Sequence, residues 1–236
     1  MKGILNTAVP RERLLCVERG AEAIAERRGR LLEPRVAPLT RWVESVRDRL
    51  DPCHAATVCD FDPDGGGIEA LVLYLAQDPS STAADTGFIS PDNNDGSARA
   101  TTEACRAAGL ASTERVHWNV YPWWLKAPCD ARVRRETELA HTFLVELLDR
   151  LDEVASVVLI GGKALKAWNK VFRTGPPRED LYVGHGPHPS FGWWSKPYGT
   201  DGRLGREVVI DELRAARSHA MKVKRNSTGR AQATGE

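Results

Sequence analysis

Four short apolar runs, at residues 70–76, 116–121, 156–160 and 180–183, alternate along this chain with segments of helical periodicity. Two of them, Leu71-Val72-Leu73-Tyr74-Leu75 and Val157-Val158-Leu159-Ile160, are apolar at consecutive positions rather than at every second one. A strand written that way is covered on both faces, which is the situation of a parallel sheet between layers of helices. Candidate helices lie between the runs at 96–108, 132–151 and 163–172, and a last one at 207–219 closes the unit. Strand and helix alternating in this way build βαβ units. The sequence therefore predicts an α/β fold of βαβ units around a parallel sheet, with four strand candidates.

The 236 residues fit one sizeable domain. Ahead of the sheet, Leu14, Leu15, Ala21 and Ile24 mark a surface helix within 11–32. Leu39, Trp42, Val43, Val46 and Leu50 then repeat at the i, i+3, i+4, i+7 spacing of a second, amphipathic helix. Three regions are expected: N-terminal helices over 1–58 packing on the core, the α/β domain over 59–219, and a basic flexible tail over 220–236. With 33 basic and 32 acidic side chains, net charge argues neither for nor against nucleic acid. From Leu213 onward, Arg214, Arg217, Lys222, Lys224, Arg225 and Arg230 face only Glu236, and a solvated tail is the default reading of such a run.

The five cysteines form no Cys-x-x-Cys pair, so neither a disulfide framework nor a structural zinc site is expected. Pro10-Arg11-Glu12-Arg13 interrupts the start of the chain, and no long apolar span follows. A soluble protein of the reducing cytoplasm, off the membrane, is the expectation. Asp60-x-Asp62-x-Asp64-Gly65 opens like a calcium loop, but Leu71 stands where the bidentate Glu belongs, so no metal is expected. Gly161-Gly162-Lys163 lacks the first glycine and the Ser or Thr of a phosphate loop, and reads as a tight strand-to-helix turn.

The first apolar run stops at Gln77-Asp78-Pro79-Ser80. In open α/β sheets the carboxyl ends of the strands open into the ligand crevice. Pro79, with fixed φ and no N–H, ends the strand and holds Asp78 at that rim. Three more elements fall at or just past strand ends: Phe88, within a long Gly-, Pro-, Asn- and Ser-containing segment over 79–98; Trp118-Asn119-Val120-Tyr121-Pro122-Trp123; and His188-Pro189-Ser190. Loops as long as 79–98 are usually functional or disordered. An acid, an aromatic face, an amide and an imidazole suit a planar polar heterocycle. The amide both donates and accepts, a ring stacks on a base for about 1–3 kcal/mol, an imidazole donates to an oxygen gaining charge, and a carboxylate orients water beside an oxocarbenium-like sugar. Each also has a plainer reading: Asp78 as a turn cap, Asn119 bonding loop backbone, Phe88 plugging the core, His188 sitting in a loop, and the tryptophans filling core.

These motifs, in this order, resemble the uracil-DNA glycosylase superfamily, which carries a Gln-Asp-Pro-type first motif, an Asn-ended central strand and a His-Pro-Ser second motif. The resemblance runs from about Asp60 to Ser190 and includes Leu159-Ile160-Gly161-Gly162-Lys163-Ala164. The Ser90-Pro91-Asp92-Asn93 loop is similar to that of bacterial members. The resemblance implies a uracil-DNA glycosylase-like fold, three-layer α/β/α with a central four-stranded parallel sheet, and a monofunctional glycosylase of base-excision repair, acting on DNA as a monomer without a cofactor. It implies that Asp78 orients the water and His188 stabilises the departing anion. It further implies that the Gln77 backbone, Phe88 and Asn119 bind the flipped base, while Ser190 holds a phosphate. Phe191 and Trp193 stand where the family places an apolar wedge. Two departures matter. Ser80 replaces the Tyr that screens out the thymine methyl in the best-known branch, and the four spaced cysteines of the iron–sulfur branches are missing. The rival expectation is a nucleic-acid-binding protein that kept the fold and lost the chemistry; a hydrolase of free nucleosides is a third.

Overall fold

A computed structural model describes residues 5–126, 133–173 and 175–233. Three helices come first, α1 (Ala21–Gly29), α2 (Ala37–Asp48) and the short α3 (Pro52–Ala55). The strands are β1 (Asp60–Phe61), β2 (Val72–Ala76), β3 (Phe88–Ile89), β4 (Arg115–Asn119), β5 (Ser156–Ile160) and β6 (Tyr182–Gly186). Between and after them run α4 (Ser81–Thr86), α5 (Gly96–Ala108), α6 (Val133–Leu148), α7 (Gly162–Val171), α8 (Phe191–Trp194) and α9 (Gly205–Ala233). The central sheet has four parallel strands in the order β4-β2-β5-β6, and β1 and β3 form a separate parallel pair.

Successive side chains of a strand point to opposite faces, and the apolar runs use both. Leu73, Leu75, Val157 and Leu159 pack with Trp42, Val43, Phe143, Leu144 and Trp168, on the side of α2, α6 and α7. Val72, Tyr74, Val158 and Ile160 pack with Ala104, Cys105, Val209, Leu213 and Ala216, on the side of α5 and α9. Helices thus cover both faces of the parallel sheet, a three-layer α/β/α arrangement.

Four local expectations are corrected. The segment 79–98 is not one long loop: it contains α4 and β3, and Asp60 pairs with Phe88. The last strand runs to Gly186 rather than residue 183, because α9 packs so closely that a Cβ on Gly184 would meet Glu212 Oε2 at 2.5 Å and one on Gly186 would meet Val209 Cγ2 at 2.8 Å. Small residues hide this strand from a reading by hydrophobicity. The expected flexible tail from 220 continues α9 as far as Ala233, with Ala220 buried and Met221 and Val223 extending the apolar stripe. Finally, Cys53 is disulfide-bonded although no disulfide framework was expected; Cys16, Cys59 and Cys105 are free. Among the described residues no helix is long and apolar enough to cross a membrane.

The N-terminal segment docks on the core through charge as well as through α2. The Arg27 side chain is 2% exposed and donates to Asp62 (3.0 Å), Asp64 (2.9 Å) and Asp92 (2.6 Å). Arg13 reaches Asp64 and Asp92, and Arg30 reaches Asp64. Of the aspartates of the calcium-like motif, Asp62 and Asp64 are thus held by these arginines, and Asp60 pairs with Arg47 (2.9 Å). Removing one partner of a buried ion cluster strands the others, at about 3–5 kcal/mol. Arg27→Met should lower the free energy of unfolding by about that much in denaturant titrations. A loss below about 1 kcal/mol would mean that the cluster contributes little.

Candidate functional site

The register of the sheet fixes the site. Asn119 pairs with Ala76, Leu75 with Leu159, and Ile160 with Gly186, so Asn119, Ala76, Ile160 and Gly186 stand in one row at the carboxyl edge. Asp78 and His188 each lie two residues beyond that row. The β4–β2 ladder continues past the strands through Val120 N–H to Ala76 O (2.9 Å) and Tyr121 N–H to Gln77 O (2.9 Å). Strands β2 and β6 are separated by β5, so their paired backbones run about 10 Å apart.

A cavity of about 710 Å³ opens between them, lined by Gln77, Asp78, Asn119 and His188. Tyr74, Thr101 and His117 form its floor, Ile89, Ser90, Pro91, Asn93 and Asp95 one wall, and Trp124, Leu125 and Lys126 another. The opposite edge carries Lys163. The Tyr74 hydroxyl is hydrogen-bonded to that of Thr101 (3.0 Å), and the His117 Nε2 accepts from Arg115 Nε (3.0 Å). Burial beside Arg115 holds His117 well below the ordinary imidazole range, so it is neutral.

Asn119 is 4% exposed, yet among the described residues its side-chain amide has no hydrogen-bond partner. Its amide atoms stay accessible through the cavity that Asn119 lines, where the group can both donate and accept. Asp78 is half-buried, and its Oδ2 accepts from the Leu125 N–H (3.2 Å). Burial raises its pKa, opposed by the Leu125 hydrogen bond and the charges of Lys163 and Lys126. His188 accepts the Ser190 N–H at Nδ1 (3.1 Å). That bond leaves Nε2 to carry the proton of the neutral ring. Surrounding protein lowers the His188 pKa, Asp95 raises it and Lys163 lowers it, for a net shift downward. The ring is a neutral donor across the neutral pH range.

Phe88 does not join this group. Its ring is fully buried with Leu15, Ala23 and Ile24, and Ile89 lines the cavity instead. The pairing of β3 with β1 decides which of the two faces inward, and the plainer reading of Phe88 as a core plug is the one that holds. Ser190 starts α8 at the rim, outside the cavity lining. Trp193 is 55% exposed; the Phe191 side chain lies outside the described residues. The floor residues Tyr74 and His117 escaped the sequence reading. Period-2 alternation from Ala76 and Asn119 would have found both. No group of three His, Cys, Asp or Glu among the described residues could hold a metal.

His188 depends on a glycine. Gly161 has φ +87°, and a Cβ there would lie 3.3 Å from His188 Cβ, while Gly162 has nothing within 4 Å. Gly161→Ala should cost about 1–3 kcal/mol, because φ +87° with ψ 152° is a backbone region that essentially only glycine adopts, and should shift the His188 ring resonances in NMR spectra. Gly162→Ala should do neither; equal behaviour of the two would remove the steric role. No protein-family model matches the chain, and no curated protein matches it either.

Proposed function

We propose that this chain is a monofunctional DNA glycosylase of base-excision repair, which flips out uracil or a related damaged base and hydrolyses its N-glycosidic bond. One observation carries the reading: an amide that faces the cavity with no hydrogen-bond partner among the described residues (Asn119), an ionisable carboxylate (Asp78) and a neutral imidazole donor (His188) converge on one cavity at the carboxyl edge of a parallel sheet. The Asn119 amide matches the donor–acceptor edge of a pyrimidine such as uracil. Asp78 orients water toward C1′ and faces the positive charge of the sugar. His188 Nε2–H donates to the base oxygen that gains charge as the bond breaks. Burying a base in the cavity requires taking it out of the helix stack. With Phe88 elsewhere, stacking falls to a ring the cavity lines, and the half-buried Trp124 supplies one. Exposed Leu125, which lines the cavity, and exposed Trp193 on α8 are candidates for the space left in the duplex. The expected setting is the cytoplasm, with the protein acting as a monomer.

The test uses single- and double-stranded oligonucleotides bearing uracil, hypoxanthine or mismatched thymine, with alkali to cleave abasic sites. Cleavage at one of these bases is expected, falling about a hundredfold or more in Asp78→Asn and in His188→Ala. DNA binding with no cleavage of any base would favour the non-catalytic alternative. The pH profile supplies a second check. Asp78 must be ionised to work, and burial raises its pKa. The acid limb should therefore lie above the ordinary aspartate range and vanish as the controlling limb in Asp78→Asn. A limb at or below that range would count against Asp78 as the base.

A further inference from the structure

We propose that Lys163 is a catalytic residue of this site: its ammonium shares the cavity with Asp78 and His188 and stabilises the anion of the departing base. The inference rests on the glycosylase reading and deepens it.

Lys163 sits in the first turn of α7, immediately after the Gly161 turn that brings β5 against β6. There the Gly161 N–H donates to Gly186 O (2.8 Å), and the backbone passes close enough to His188 that only glycine fits without crowding it. Two residues later, the Lys163 side chain is exposed and lines the cavity that His188 also lines.

A lysine is poorly placed in a first helical turn. The N-terminal N–H groups already give that end positive charge, and a cation adds to it. The first turn of α7 has no acidic residue, and its N-cap, Gly161, offers no side-chain acceptor. Lys163 makes no ion pair among the described residues. A local rule broken without local compensation marks a functional position. Here the helix end and the ammonium together point positive potential at the cavity.

The charged groups facing Lys163 come from every element around the cavity. Asp78 follows β2, Asp95 starts α5, Lys126 follows β4 and His188 follows β6. Asp95 is engaged by the Ser80 hydroxyl and the Ala98 N–H. Lys126 acts on Asp78, whereas Lys163 acts on both Asp78 and His188. Lys163 is the cation common to the water-orienting and leaving-group sides.

The chemistry needs such a charge. When the N-glycosidic bond breaks, its electron pair goes to the base, and the sugar is left as a cation. Water adds to C1′ and passes a proton to Asp78, while the base leaves as an anion and is later protonated. His188, held neutral, contributes a dipole but no net charge. The ammonium supplies the charge and forms no bond to substrate.

Two measurements test this on the full-length chain. In single-turnover cleavage of the preferred base, Lys163→Met should slow the chemical step by about tenfold or more, with DNA affinity changed by less than about threefold. Lys163→Arg should restore most of the rate. Independently of any activity, NMR titration should show the His188 pKa higher in Lys163→Met than in the wild type. An unchanged His188 titration would overturn the placement. A weakened DNA affinity with an intact chemical step would make Lys163 a phosphate contact and overturn the role. Borohydride trapping of Lys163 on an abasic product would overturn it in favour of a covalent amine. A wild-type protein that cleaves no base would overturn the glycosylase reading and with it the catalytic role, and the His188 titration would still decide the position of the cation.

Discussion

Every polar group of the site is placed by counting from one row of paired residues, and that row depends on strand register. Asn119, Ala76, Ile160 and Gly186 stand level across the sheet, with Asp78 and His188 two steps further on. A slip of one residue would turn Asn119 to the other face. Because β2 and β5 are apolar on both faces, burial alone would tolerate such a slip. Sparse polar contacts forbid it. Tyr74 reaches Thr101 of α5, the buried Ser156 hydroxyl donates to Ala216 O of α9 (2.8 Å), and the Gly161 N–H ties β5 to β6. Each of these bonds exists in one register and strands a buried polar group in any other, and a stranded group costs more than the bond itself contributes.

The residues before the sheet belong to the same construction. The wall at Ser90–Asn94 leans on them: Asn6 Nδ2 donates to Pro91 O and Asn93 O, Leu15 N–H to Asp92 O, and Asn94 N–H to Leu15 O. Arg27 then binds Asp92 of the wall together with Asp62 and Asp64 of the β1 turn. A buried guanidinium is tolerated because three carboxylates surround it, and the carboxylates are tolerated because of it. The N-terminal segment is therefore part of what gives the cavity its shape. Of the three aspartates with calcium-like spacing, Asp62 and Asp64 hold that arginine and Asp60 pairs with Arg47.

What could be read from the sequence follows from how local each determinant is. The strands were legible because an apolar run is a property of consecutive residues. Asp78, Asn119 and His188 were legible because a parallel sheet collects strand ends, whatever the details of packing. Phe88 was not, since its direction is set by a two-residue pairing with Asp60, almost thirty positions away. Segment 79–98 read as a loop because its composition is polar. Yet Ser80 and Asp95 are both N-caps, of α4 and α5, and a search for caps ahead of small-residue helices would have found them. Strand β6 was truncated because its glycines answer to α9, a partner twenty residues further along the chain.

Ser80 shows how such a determinant changes a functional inference. In the sequence it stands out as the missing aromatic screen beside Asp78. In the fold its hydroxyl accepts from the Ala83 N–H (3.1 Å) and donates to Asp95 Oδ2 (3.2 Å), while Asp95 Oδ1 accepts from Ala98 N–H (2.8 Å). One serine thereby joins the starts of α4 and α5, and a larger residue without that hydroxyl would uncap the first and release the second. The cavity around it is bounded by Ala76, Ala83, Ser97 and Ala98, all small. On the glycosylase reading, a wall so open discriminates poorly by shape. Discrimination then falls to the unpartnered amide of Asn119. A site built to hydrogen-bond its substrate rejects analogues that leave its buried groups unpaired far more strongly than those that merely add a methyl. The geometry thus assigns selection to the base edge, and gives Ser80 the task of holding the walls in place.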